Sequence, residues 1–131
     1  MRIEDLYTLF ERCHLVDTDT RHIREGSIFF ALKGANFDGN EYASEALEKG
    51  AAYAVIDDID YKVHDAMILV EDVLVTLQNL ATYHRRKLAI PVLSLTGSNG
   101  KTTTKELINA VLSKKYKTLA TKGNLNNHIG V

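Results

Sequence analysis

Pro91-Val92-Leu93-Ser94-Leu95-Thr96-Gly97-Ser98-Asn99-Gly100-Lys101-Thr102-Thr103-Thr104 is the stretch on which the reading of this chain turns. It runs from a proline through an apolar segment into a glycine turn, then into residues that open a helix. Proline stops the preceding helix and starts an extended segment, so Val92 to Thr96 reads as a strand and Thr102 to Ser113 as a helix. Glycines between a strand and a helix let backbone N–H groups approach phosphate oxygens with no Cβ in the way. The helix start adds partial positive charge. Lys101 can reach β- and γ-phosphates, and the Thr102 hydroxyl is placed to ligate Mg²⁺. The spacing departs from the general phosphate-loop pattern, because Leu95 stands where that pattern needs its first glycine. The bland alternative is a Gly-Asn-Gly turn that merely joins two elements.

Outward from that stretch, the pattern alternates strands with helices, which argues for an α/β fold. Ile3 to Cys13 has helical spacing, and Asp17 to Arg21 is polar and loop-like. Ser27 to Leu32 is an apolar run suited to a buried strand. Lys33 to Asn40, with Gly34 and Gly39, reads as a loop. Tyr42 to Lys49 is helical, with Gly50 as its C-cap. Ala52 to Ile56 and Met67 to Val70 are strands. Val73 to Leu88 is a long helix capped by Asp72, with a buried stripe of Val73, Leu77, Leu80, Ala81, His84 and Leu88. Tyr116 to Ala120 is a last strand. The boundary falls near residue 90: residues 1–90 form one small domain, and 91–131 the first β-α-β of a second, too little to close a sheet alone.

The balance of 16 Lys plus Arg against 17 Asp plus Glu gives a formal net charge of -1, which provides no electrostatic footprint for nucleic acid or anionic membrane. No apolar run is long enough to span a bilayer, and no export signal opens the chain. A single cysteine, Cys13, permits no internal disulfide and fits a reducing, cytoplasmic setting. The run His84-Arg85-Arg86-Lys87 complements a helix C-terminus, and His84 itself reads as packed rather than ligating. Asp57-Asp58-Ile59-Asp60 reads as a solvated turn, since its spacing matches no calcium loop. No Ser-His-Asp or Cys-His set suggests a covalent nucleophile.

The shortened loop T-G-S-N-G-K-T-T-T resembles the ATP site of the Mur ligase family. By that resemblance Gly97, Ser98, Asn99, Gly100, Lys101, Thr102 and Thr103 bind ATP, with Lys101 catalytic and Thr102 on Mg²⁺. The front of the chain lacks the glycine fingerprint of the early ligases of the pathway. Asp19-Thr20-Arg21, Gly26 to Gly34 and Phe37-Asp38-Gly39 instead look like the first domain of the two later ones, whose pattern is D-S-R…G-D-[LI]-F-[FV]-A…G…D-G-H. Thr20 replaces the usual Ser and keeps its hydroxyl; Asn40 stands where His is common. The closing segment Gly123-Asn124-Leu125-Asn126-Asn127-His128-Ile129-Gly130 is similar to that of the members that add a dipeptide.

The resemblance implies an α/β substrate domain followed by a P-loop ATPase domain. It implies an ATP- and Mg²⁺-dependent ligase of peptidoglycan synthesis that adds D-alanyl-D-alanine to UDP-N-acetylmuramoyl-tripeptide through an acyl phosphate. The implied substrate-binding residues are Thr20, Arg21, Lys33, Gly34, Asp38, Asn126 and Asn127, in a monomer. An Asp19–Arg21 pairing that shapes the loop competes with the role of Arg21, and simple turn chemistry competes with that of the asparagines. The 131 residues alone are expected to bind without catalysing. Two rival readings are a sister ligase that adds a single amino acid and a non-catalytic nucleotide-binding module.

Overall fold

The computed structural model describes residues 1–121, and the chain divides after Ala89 into two compact units. In the first, four short strands form a parallel sheet: β1 (Val16–Asp17), β2 (Ile28–Phe30), β5 (Tyr53–Ile56) and β6 (Met67–Leu69), in the order β1-β2-β5-β6. Side chains alternate across a strand, so β2, β5 and β6 each contribute to two cores. On one face Ile28, Phe30 and Val55 meet Leu6 and Tyr7 of α1 (Ile3–Cys13) and Val73 and Leu80 of α3 (Val73–Leu88). On the other, Phe29, Ala54, Ile56 and Met67 meet Ala43 and Ala46 of α2 (Ala43–Glu48). The alanines have little bulk, which suits α2 to lying against the sheet. Burial on both faces explains why β2, β5 and β6 read as continuous apolar runs.

The ends of α3 follow their local chemistry. The Asp72 carboxylate accepts from the Val75 N–H at 2.7 Å, a cap that contributes about 1 kcal/mol. Arg85, Arg86 and Lys87 sit in the last turn, where cations complement the helix dipole. The buried stripe differs from expectation: Ala81 and Leu88 are exposed, while Tyr83 packs against the core. Tyr83 and His84 face α1, with Tyr7 and Tyr83 ring centroids 4.9 Å apart and Tyr7 Oη 3.3 Å from His84 Nδ1. Gly50 is the residue after the α2 cap, Lys49, with φ +104.

Two stretches read as loops are more ordered than that. Within 17–21, Asp17 belongs to the edge strand β1, and Thr20 and Arg21 to a 3-10 turn, Thr20–His22, capped by Asp19. Within 33–40, β3 (Lys33–Gly34) pairs antiparallel with β4 (Phe37–Asp38), and a 3-10 turn, Gly39–Tyr42, leads into α2. A Cβ on Gly39 would stand 2.4 Å from the Leu32 carbonyl oxygen, so only glycine lets the chain pass there.

The second unit corrects an expectation. Its helix, α4 (Lys101–Leu112), forms as read, but neither 92–96 nor 116–120 is a strand. A strand exists through its ladder, and among the described residues neither segment has a partner. Their apolar side chains are exposed accordingly, Leu93 at 69% and Leu119 fully. The expected β-α-β is therefore a loop and a helix flanked by unpaired segments.

Candidate functional site

The glycine loop has the geometry expected of an anion cradle. Gly97 and Gly100 have φ of +146° and +78°, backbone that residues with a Cβ rarely adopt, and space is open around both. Gly100 caps α4 without any side-chain hydrogen bond, and the first intrahelical bond runs from Thr104 N–H to the Gly100 carbonyl at 2.9 Å. The first-turn N–H groups of Lys101, Thr102 and Thr103 thus receive no side-chain cap and remain for an anion. Lys101 Nζ donates back to the Gly97 carbonyl and lies 3.5 Å from that of Ser98. The loop's own carbonyls so hold the ammonium beside its N–H groups. Thr102 and Thr103 are exposed.

A second cluster lies where β5 ends. Because all four core strands are parallel, their carboxyl ends share one edge, the usual ligand side of an open α/β sheet. There Lys33 Nζ is 2.9 Å from Asp57 Oδ1 and 3.7 Å from Asp38 Oδ2. Asn40 is 1% exposed and fully engaged. Its side-chain N–H groups donate to Asp38 at 2.7 Å and Asp57 at 2.8 Å, and its carbonyl accepts the Asp57 N–H at 3.1 Å. The other Asp57 oxygen accepts from the Val73 N–H at 3.3 Å, at the start of α3. Burial pushes the Asp57 carboxyl up, but hydrogen bonds from Lys33, Asn40 and Val73 outweigh it and hold the group below the usual carboxylate range. The Asp57 hydrogen bond raises Lys33 in turn. A shallow recess of about 470 Å³ opens beside this cluster, lined by Lys33, Gly34, Phe37, Asp38 and Tyr42 among others.

Asp57 is the residue that sequence reasoning missed. Asp58 does behave as a turn carboxylate, accepting from the Asp60 N–H, but Asp57 is an ion-paired hub. The available signal was its place directly after a buried strand, a position that faces the ligand edge in such folds.

Thr20 and Arg21 have other partners. They lie on the return from β1 to β2, where the Thr20 carbonyl accepts from Lys49 Nζ at 2.9 Å. Arg21 is paired with Asp19 at 2.6 Å, and that hydrogen bonding depresses the Asp19 carboxyl strongly. The pairing that competes with a binding role is thus formed. Among the described residues no hydrogen bond or ion pair joins Thr20 or Arg21 to Lys33, Gly34 or Asp38. Asn126 and Asn127 lie outside the described residues. Among the described residues no His, Cys, Asp and Glu cluster could hold a metal ion, and no helix is long and apolar enough to cross a membrane.

Comparison with known proteins gives this geometry its family. Residues 12–96 match the model "Mur ligase family, catalytic domain", and residues 95–131 match "Mur ligase middle domain". The chain belongs to the Mur ligase family. Within that family it is 44% identical over 120 residues to the UDP-N-acetylmuramoyl-tripeptide–D-alanyl-D-alanine ligase of Bacillus subtilis, across 90% of this chain and 26% of that protein. The same-named ligase of Synechocystis is 44% identical over 122 residues, across 92% and 27%. Among solved structures, MurF from Acinetobacter baumannii superposes with a TM-score of 0.79 at 38% identity, across 90% of this chain and 26% of that one. MurF from Thermotoga maritima in complex with ADP does so with 0.79 at 35%, across 88% and 27%. The chain spans about a quarter of the length of the Mur ligases it matches.

Proposed function

We propose that this chain is part of an ATP-dependent Mur ligase that joins D-alanyl-D-alanine to UDP-N-acetylmuramoyl-tripeptide in the cytoplasm. The observation that carries the reading is the cradle of Gly97 to Thr103, with two positive-φ glycines, an uncapped helix start and Lys101 held over it. The names of the ligases that match support the choice of substrates. Residues 1–90 serve the UDP precursor through Lys33, Gly34 and Asp38, with Thr20 and Arg21 at a second point of contact. Residues from 91 onward begin the ATP-binding domain, and Asn126 and Asn127 serve the precursor there. The protein works as a monomer.

The reaction passes the γ-phosphoryl group of ATP to the tripeptide carboxylate, giving an acyl phosphate and ADP. The dipeptide amine then attacks the acyl carbon, and the tetrahedral intermediate collapses with release of phosphate. Charge develops on the transferred group, so cations and N–H donors around it lower the barrier. Lys101 and the backbone of Ser98 to Thr103 supply them. The exposed Thr102, in the first turn of α4, would offer its hydroxyl to a magnesium ion, whose charge would offset that of the phosphate oxygens.

The test is phosphate release by the complete protein with ATP, Mg²⁺, UDP-N-acetylmuramoyl-tripeptide and D-alanyl-D-alanine, each omitted in turn. Release that needs all four is expected, and Lys101→Ala should lower it by about 10²–10³-fold, the scale of losing one charge-stabilising donor. Release with a UDP-dipeptide and a single amino acid would point to the sister ligase, and none with either set would refute the reading.

A further inference from the structure

We propose that Asp57 and Asn40 are positioning residues for Lys33, holding its ammonium and the β3–β4 hairpin at the carboxyl edge of the sheet for the anionic precursor. The inference rests on the reading of Lys33 as a substrate contact and adds two residues to it. Lys33 has a long, flexible side chain that is 47% exposed, and left to itself it would sample many rotamers at an entropic cost on binding. Asp57 removes that freedom. Its carboxylate is 12% exposed, lies 2.9 Å from Lys33 Nζ, and is itself tied to the start of α3 through the Val73 N–H.

Asn40 fixes the other side of the arrangement. Buried at 1%, it joins Asp38, the residue paired with Lys33 across the hairpin, to both the side chain and backbone of Asp57. The carboxamide thus spans from the hairpin to the end of β5 and leaves neither carboxylate free to swing. Lys33 meets two carboxylates, at 2.9 and 3.7 Å, but keeps nearly half of its surface open. It is anchored from below and free to meet an anion from above. A hairpin of two-residue strands has little stability of its own, so its placement relies on this network.

A residue that acts through another loses its effect once that other is removed, whereas a merely structural residue does not. The experiment is a double-mutant cycle in the complete protein with Lys33→Met, Asp57→Asn and the pair. The readouts are KM for UDP-N-acetylmuramoyl-tripeptide, KM for ATP, and kcat. Asp57→Asn keeps the shape and one of the two acceptor oxygens, enough to accept from Val73, so folding is expected to persist, and thermal unfolding checks it. We expect each single change to raise the precursor KM about tenfold with ATP KM and kcat within about twofold, and the double variant to be no worse than Lys33→Met alone. Asn40→Asp, which loses a donor between two carboxylates, should raise the same KM and leave ATP KM unchanged. Additive effects, or a loss spread equally over both substrates and kcat, would overturn the proposal. Wild-type protein silent with this substrate would remove the functional reading, and the inference with it. That outcome differs visibly from an active enzyme whose substitutions add.

Discussion

Residues 1–89 bury two cores around one sheet, whereas no residue from 90 to 121 is buried, yet both stretches carry matches to the same ligase family. The two regions hold their functional chemistry by different means. The loop at 97–100 and the start of α4 need only local geometry: two glycines at positive φ, a helix start and a lysine four residues after the first glycine. The cluster at Lys33 needs partners from a hairpin, the end of β5 and the start of α3, which only a packed domain brings together. The geometry of an anion cradle can thus be written into a short segment, while the ion-paired edge is a product of the whole first unit.

The largest effect that could break this contrast is in the first core. Phe30 is fully buried between the sheet, α1 and α3, so Phe30→Ala should cost about 3–5 kcal/mol by urea unfolding. A loss below about 1 kcal/mol would mean that the first unit is not held by that core.

A smaller effect sharpens the role of charge. The folded Asp57 carboxyl titrates below its unfolded value. Its stabilisation is therefore complete above about pH 4, the unfolded range, and is lost as pH falls through the folded value. Asp57→Asn should flatten the acid side of the stability profile, measured by urea unfolding between about pH 6 and pH 3. Identical acid slopes for both proteins would show that the ion pair contributes nothing to the first unit.

The smallest expected effect lies in the second region. Leu107 is 63% exposed on α4, and Leu107→Ala in this 131-residue chain should change stability by about 0.5 kcal/mol or less. A cost of about 2 kcal/mol or more would reveal a core around α4 and end the contrast.

Much of the first unit could be read from residues alone, because its signals are local or periodic. The runs at 28–30, 53–56 and 67–69 are apolar since both sheet faces are covered, and Asp72 announces α3 by the chemistry of a cap. Other assignments failed where the deciding partner is distant. Asp17 opens a polar stretch that resembles a loop, yet it belongs to a strand because β2 lies beside it. Val92 to Thr96 is apolar enough to resemble a strand but is none, for lack of a described partner.

The helices, the Asp72 cap, the buried strands and the glycine loop were therefore legible in the residues alone, since those depend on propensity, periodicity and backbone freedom over a few residues. Long-range packing was needed to show that Asp57 is an ion-paired hub rather than a solvated turn and that Asn40 is buried between two carboxylates, and the structure showed Arg21 paired with Asp19. A carboxylate's role is set by what lies within about 4 Å of it, and for Asp57 those groups come from residues 33, 40 and 73, which no local pattern ties together.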